Sequence, residues 1–173
     1  MRPEAQRAEA QRKFEQCVES CADSMFRVAY RLTGNRTLAA ELVQETYLNA
    51  WKSMDNLKDP ERMRAWMFSI LRNQYTKLLR KEKRHVPTTE DLSDVSIREP
   101  TSNDTTDRVQ AALEMLDENH KLPVLLVSLE GMTVYEAAKI LNTPRGTVLS
   151  RLHRGRQKLK EILRRNQTEG QSS

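Results

Sequence analysis

The sequence predicts an all-α fold: two small helical domains joined by a flexible acidic linker, the second a four-helix domain that ends in a helix-turn-helix. Three observations carry this. Apolar residues recur at steps of three and four, the spacing of one helix face, through most of the 173 residues. Five glycines and little alternation of β-branched with polar residues leave almost nothing for strands. Between residues 86 and 106 the periodicity vanishes, in VPTTEDLSDVSIREPTSNDTT, a stretch rich in Ser, Thr, Asp and Glu with two prolines. So long a patternless run is foreign to a compact domain and reads as a linker. Fully extended it spans about 70 Å.

The first domain, residues 1–85, opens with a helix over 3–32, in which Phe14, Cys17 or Val18, Cys21, Met25, Val28 and Leu32 mark the buried face and Gly34 supplies the stop. A second helix is expected from Leu38 to Lys52, with Leu38, Leu42, Leu48 and Trp51 inward and Glu41, Gln44, Glu45 and Asn49 outward. Ser53 to Asp59 is a connection, and Asp59-Pro60 reads as an N-cap followed by proline at the first helical position. The third helix then runs to about Lys83, apolar through Met63, Met67, Ile70, Leu71 and Leu78. Its remaining surface is basic, through Arg64, Arg72, Lys77, Arg80, Lys81, Lys83 and Arg84 with Asn73 among them. Trp66, Phe68 and Tyr75 are interleaved with these charges. Aromatics at helical spacing fill cores, and beside so much positive charge they also suit base stacking.

The second domain, residues 107–166, begins with a helix buried through Val109, Ala112, Leu113 and Leu116. Leu122, Leu125, Leu126 and Leu129 form the seam of the next, with Gly131 as its stop. Pro123 sits inside that pattern, where its ring meets the carbonyl four residues back at a cost of roughly 3 kcal/mol, so a kink or a start near Leu122 is expected.

The last two helices are specified in more detail. Thr133 and Glu136 have capping-box spacing, and Val134, Ala137, Ala138 and Leu141 then share a face. Asn142 suits the left-handed residue that ends a helix, Thr143 an N-cap, and Pro144 a first helical position. In the final helix Val148, Leu152, Gly155, Leu159 and Ile162 form a narrow inward seam. Thr147, Ser150, Arg151, Arg154 and Lys158 cluster about a quarter-turn away. Arginine bonds guanine through two hydrogen bonds, Ser and Thr bond either base partner, and the other charges meet phosphate, so this pair has the makings of a major-groove reader. A solvated basic helix would carry similar charges. Residues 167–173 read as a polar tail.

Composition narrows the function. The chain is 38% hydrophobic and 31% charged with net charge +5, which mildly favours a polyanionic partner. Positive charge gathers at 72–85 and 145–165, the two helices already singled out. No apolar run has the length of a membrane span and the N-terminus lacks the apolar core of a signal peptide, so a cytoplasmic protein is expected. Cys17 and Cys21 read as reduced, buried thiols. His85, His120 and His153 are scattered without ligand spacing, so neither metal nor cofactor is expected. A Gly-rich phosphate loop, a Ser–His–Asp order and a paired carboxylate site are all missing from the sequence, which excludes the common hydrolytic and phosphoryl-transfer classes.

Taken in order, LTGNRTLAAELVQETYLNAW, AWMFSILRNQYTKLLRKEKR and LEGMTVYEAAKILNTPRGTVLSRLHRGRQKL resemble an extracytoplasmic-function (ECF) sigma factor of bacterial RNA polymerase. The resemblance covers both domains and implies roles residue by residue. Leu42, Val43, Gln44 and Glu45, with Glu41 and Asn49, fall on the surface that docks on core polymerase, whose clamp helices and flap are the implied partners. The loop from Met54 to Arg62, with Asn56 and Leu57, falls where the family captures a flipped base of the promoter −10 element. Arg64, Trp66, Asn73, Lys77, Arg80 and Arg84 correspond to −10 reading and strand separation. Arg145, Thr147, Ser150, Arg151, Arg154 and Lys158 lie at −35 reading positions. An anti-sigma factor is implied as a further partner. The sequence departs from the family pattern at Lys77 and Glu41, where Asp is common, and at Pro123. The rival reading is a stand-alone helix-turn-helix regulator, for which residues 38–84 would be superfluous.

Overall fold

The computed structural model describes residues 4–57, 59–84 and 104–169, with side chains over 8–57, 59, 61–82 and 105–165. Most of the expected linker, residues 86–103, therefore lies outside the described residues, as do the end of the tail (170–173) and the side chain of Arg84. Seven α-helices are described: α1 (Glu4–Thr33), α2 (Arg36–Lys52), α3 (Met63–Arg84), α4 (Asp104–Glu114), α5 (Glu118–Val124), α6 (Val134–Leu141) and α7 (Arg145–Glu169). Among the described residues there is no strand.

Helices α1 to α3 form the N-terminal unit. Gly34, at φ 67°, ends α1 by donating its N–H to Tyr30 O at 2.8 Å, and Asn35 caps α2 by accepting from Leu38 N at 3.0 Å. The inward face of α2 differs from the expected one. Ala39, Leu42, Val43, Thr46 and Ala50 are buried, whereas Leu48 and Trp51 are 47% and 46% exposed. Small residues at the contact let α1 and α2 approach closely, and Thr46 satisfies its hydroxyl on Leu42 O at 2.7 Å. Leu48 and Trp51 are left outside. Trp51 does touch the unit once, edge-on against Phe14 at 5.4 Å between ring centroids.

The connection from α2 to α3 contains two tight 3₁₀ turns, Met54–Asn56 and Pro60–Arg62. Asp59 accepts from Glu61 N at 3.1 Å as expected of a cap, but the first turn it caps is 3₁₀ and α3 proper starts at Met63. Met63, Met67, Phe68, Leu71 and Tyr75 bury α3, so two of its three aromatics are core residues and Trp66 alone is part-exposed.

The C-terminal unit begins at Asp104, three residues before the expected start, and α7 runs to Glu169 through what reads in the sequence as tail. Pro123 neither shortens α5 nor stops it. The helix starts at Glu118 under an Asp117 cap, passes through Pro123, and widens over Leu125–Leu129 into π-type spacing, where Glu130 N bonds Leu125 O at 3.1 Å. The proline lacks the N–H that would close the ordinary ladder, and the wider turn follows directly on it.

The two units pack on each other. Buried residues of α1 and α3 are continuous with Leu113, Leu116, Leu125, Leu126 and Ala137 of the C-terminal unit. Polar contacts line the join. Arg31 donates to Gln110 Oε1 at 3.2 Å and Gln110 returns a bond to Arg31 O. Tyr75 Oη donates to Glu118 Oε1 at 2.9 Å. Arg72 donates through Nε and Nη2 to Ile140 O at 3.3 and 3.1 Å.

Candidate nucleic-acid and protein-docking surfaces

The helix-turn-helix forms much as its residues dictate. Glu136 N donates to Thr133 Oγ1 at 3.2 Å, and Glu136 Oε2 accepts from Thr133 N at 2.8 Å, a complete capping box. Those bonds hold the Glu136 carboxyl below its ordinary range. Asn142 adopts φ 48°, ψ 50°, the left-handed conformation that closes α6. Thr143 departs from expectation. Its hydroxyl donates back to Leu141 O at 3.0 Å instead of capping α7, and Pro144 O accepts the first bond, from Val148 N. Val148, Leu152 and Gly155 are buried as the seam requires, with Leu159 and Ile162 part-buried.

Of the expected −35 residues, Thr147, Ser150, Arg151, Arg154 and Lys158 share one side of α7, and Arg145 stands at its first position on another. Arg145, Ser150, Arg154 and Lys158 are exposed, Thr147 and Arg151 half-buried. Lys158 reaches back to Asp117 Oδ2 at 3.3 Å. Two residues not singled out in the sequence join this surface. Tyr135 of α6, exposed, has Lys139 Nζ 4.2 Å and the Arg145 guanidinium 5.8 Å from its ring centre, which groups two cations at the turn. Leu149 is exposed beside Ser150 and offers the apolar contact that a thymine methyl takes.

The second surface lies on α3. Asn73, Lys77 and Arg80 line a groove of about 500 Å³ with Arg72 and Lys52, which assembles the expected strand-contact residues into one basic channel. Asn56, Leu57 and Trp66 meet in a smaller pocket of about 270 Å³. Leu57 is buried, although it lines the pocket. Lys139 and Ile140 of α6 line the same pocket, so the C-terminal unit stands against it. Arg64 is turned away from this surface. It pairs with Glu130 at 3.3 Å, bonds Ser24 Oγ at 3.2 Å and lies 5.3 Å from the Phe68 ring centre. A cleft of about 420 Å³ between the units is lined by Arg72, Arg80 and Arg151, which draws an expected −10 residue and an expected −35 residue together.

The third surface is the outer stripe of α2. Glu41, Gln44 and Glu45 are exposed, and Asn49 donates to Glu45 Oε1 at 2.6 Å. Leu42 and Val43, expected among them, are buried in the core and support the stripe from beneath. Leu48 and Trp51 replace them. At i+4 from Gln44 and i+3 from Leu48 they continue the stripe, giving a carboxylate-and-amide half and an apolar half. Helical spacing could have placed them outward; hydropathy alone put them in the core. Among the described residues no group of His, Cys, Asp and Glu is placed to hold a metal, and no helix is long and apolar enough to cross a membrane.

Comparison with known proteins gives two family matches, Sigma-70 region 2 over residues 17–85 and Sigma-70, region 4 over residues 106–159. The chain is 31% identical over 166 residues to the ECF RNA polymerase sigma factor SigE of Mycolicibacterium smegmatis, covering 90% of this chain but 63% of that one, so it spans less than two thirds of that relative's length. It is 32% identical over 138 residues to the ECF RNA polymerase sigma factor EcfG of Rhodopseudomonas palustris, covering 78% of this chain and 76% of that one. Among solved structures it resembles the sigma factor RpoE in complex with the anti-sigma factor NepR from Bartonella quintana, with TM-score 0.75, 29% identity, and 87% of this chain and 96% of that one covered. It also resembles CnrH in complex with the cytosolic domain of CnrY, with TM-score 0.69, 28% identity and coverage of 90% and 93%.

Proposed function

This chain belongs to the ECF RNA polymerase sigma factors, and from that premise we propose that it binds core polymerase through the outer stripe of α2 and directs promoter-specific initiation in the cytoplasm. In this reading α7 holds the −35 element, with Arg151 and Arg154 on base edges or phosphate. The basic groove of α3 and the Asn56–Leu57–Trp66 pocket take the −10 strand and an extruded base. Unstacking DNA costs a few kcal/mol per step, least where a pocket receives the base, so opening needs no nucleotide hydrolysis by this chain.

The observation that carries the reading is the α2 stripe. Glu41, Gln44, Glu45, Leu48 and Trp51 lie exposed on α2, outside the lining of the basic groove that only the end of this helix joins through Asn49 and Lys52, and a stand-alone regulator has no use for them. The packing of the units supports a second element, control by an anti-sigma factor. With Lys139 and Ile140 at the base pocket and Arg80 and Arg151 in one cleft, the two DNA surfaces cannot grip separate promoter elements until the units part. A partner that holds them together keeps the factor silent. Two structures of similar whole-chain shape contain a sigma factor with its anti-sigma factor and CnrH with part of CnrY.

The test is run-off transcription with purified core polymerase on a genomic library, with wild type and a Gln44→Ala/Glu45→Ala variant. Wild type is expected to yield discrete starts with a shared pair of upstream motifs. The variant should lose core binding in pull-down while its circular dichroism stays unchanged, and undiminished core binding would sink the assignment of the stripe.

A further inference from the structure

The Cys17–Cys21 pair is absorbed by none of these roles. The two sulfurs lie one helical turn apart on α1 with Sγ to Sγ at 3.5 Å, and Ser20 Oγ stands 3.8 Å from Cys21 Sγ. Cys21 is 2% exposed and Cys17 half-buried, so the pair has one inner and one outer member. A phenol points into the same place. Tyr47 Oη is buried and finds no hydrogen-bond partner among the described residues, and burial together with the nearby Cys21 and Cys17 sulfurs pushes it up to about 12. Two thiols, an unpartnered buried donor and the Arg64 guanidinium thus meet between α1, α2 and α3.

The chemistry of the two thiols differs. The bond between the two sulfurs, in which either can donate, lowers the Cys21 thiol toward about 6 against the effect of burial, and Ser20 and Arg64 add to it. Cys17 keeps its proton through that same bond and through burial. A lowered thiol beside an arginine, with a second thiol in reach, has the electrostatics and the resolving partner of reactive cysteines; Cys21 itself is buried, and the half-buried Cys17 is the outer member of the pair.

We propose that Cys17 and Cys21 form a peroxide-oxidisable dithiol whose disulfide loosens the junction between the two units. The Cys21 thiolate attacks one oxygen of hydrogen peroxide; the O–O bond breaks, and the hydroxide that leaves takes up a proton to become water. Tyr47 Oη, unpartnered and near both sulfurs, is the buried donor available to the oxygen on the resulting sulfenic acid. Cys17 sulfur, giving up its proton, then attacks Cys21 sulfur, the S–O bond breaks, and a second water leaves. Two thiols are oxidised by two electrons and one peroxide is reduced to two waters. Positions i and i+4 of an α-helix have Cα atoms about 6 Å apart, within the range of disulfides, but Cβ atoms about 5–6 Å apart against the roughly 3.5–4.5 Å that a disulfide spans, so the bond requires the backbone to move. Closing the sulfurs from 3.5 Å to a bond contracts that turn. The following turn carries Ser24 and Arg27, two of the three residues that hold Glu130 of the C-terminal unit, and Arg64 is the third.

The experiment treats the full-length protein with hydrogen peroxide, blocks free thiols, and maps the tryptic peptide Phe14–Arg27 by mass spectrometry, with amide exchange read over residues 118–132. The proposal predicts loss of two hydrogens within that peptide in monomeric protein, at a rate that levels off near pH 7 instead of rising past 8 as for an ordinary thiol. It predicts at least a several-fold faster exchange over 118–132. Cys17→Ser should stop at a trappable sulfenic acid on Cys21. Unmodified thiols, or only bonds between two molecules, would overturn the site. A mapped disulfide with unchanged exchange would overturn its coupling to the junction.

Discussion

Arg64 Nη2 lies 3.3 Å from Glu130 Oε2, an ion pair that ties the third helix of the N-terminal unit to the end of the π-widened turn in the C-terminal one. The Glu130 side chain is 2% exposed and also accepts from Arg27 Nε at 3.2 Å and from Ser24 Oγ. One desolvated carboxylate thus gathers three donors from two helices. Glu130→Ala removes all three bonds at once. The arginines are half-exposed and can rehydrate, so the loss is expected at about 1–3 kcal/mol rather than the larger cost of stranding a buried charge. A fluorophore pair across the units should report lower transfer efficiency in the variant, with both units still helical. Unchanged transfer would mean that the apolar contacts alone hold the units together.

That junction was illegible in the sequence for a physical reason. Ser24 and Glu130 are 106 residues apart, and neither belongs to an apolar periodicity. The helix-turn-helix was legible almost residue by residue, because its signals are local: the Thr133–Glu136 box, Asn142 in the left-handed region, the Val148–Leu152–Gly155 seam. The α2 face was misread for an intermediate reason. Its periodicity is carried by Ala39, Thr46 and Ala50, small residues that hydropathy ranks below Leu48 and Trp51. Size complementarity with α1 decided which face went in.

Gly155 gives the second prediction. A Cβ built there stands 2.8 Å from Val124 Cγ2 and 3.0 Å from His120 O, so α7 crosses α5 at a point with no room for a methyl group. The backbone oxygen cannot swing aside as a side chain can. Gly155→Ala gains helix propensity but overpacks this crossing, and the expected net is a loss of about 1–3 kcal/mol, seen as a lowered midpoint in chemical denaturation of the full chain.

A third prediction concerns acid. Glu136 is held below its ordinary range first by the Thr133 backbone N–H and then by the Thr133 hydroxyl. A carboxyl depressed in the folded state contributes stability above its unfolded value, near 4.3, and loses it as pH falls through the folded value. Stability of wild type should therefore drop below about pH 4.3. Glu136→Gln keeps an acceptor for the capping box and should flatten part of that drop. A remainder is expected from Asp117, where burial pushes the carboxyl up but bonds from His120 and Lys158 outweigh it. Thr133→Ala removes the cap itself, at about 1 kcal/mol, and with it the hydroxyl's share in holding Glu136 down, so its cost should be greater above about pH 4.3 than below.

The last prediction separates the two halves of the α2 stripe. Leu48 and Trp51 are exposed apolar side chains adjoining Gln44 and Glu45, and water covers them unless a partner does. Aromatic anchors at the centre of an interface commonly carry 2 kcal/mol or more, whereas a rim carboxylate acts more on association rate and salt dependence. Trp51→Ala is accordingly expected to weaken core-polymerase affinity about thirtyfold, mostly through faster dissociation, since 2 kcal/mol corresponds to that factor. Trp51 also lies edge-on against Phe14, so the variant's melting temperature must be compared with wild type. Leu48→Ala, which lacks that internal contact in the described structure, provides the cleaner control. Glu41→Gln should instead change how steeply association depends on salt. If Trp51→Ala and Leu48→Ala both leave core binding and transcription unchanged, the apolar half of the stripe belongs to some other partner and only Gln44 and Glu45 remain assigned to polymerase.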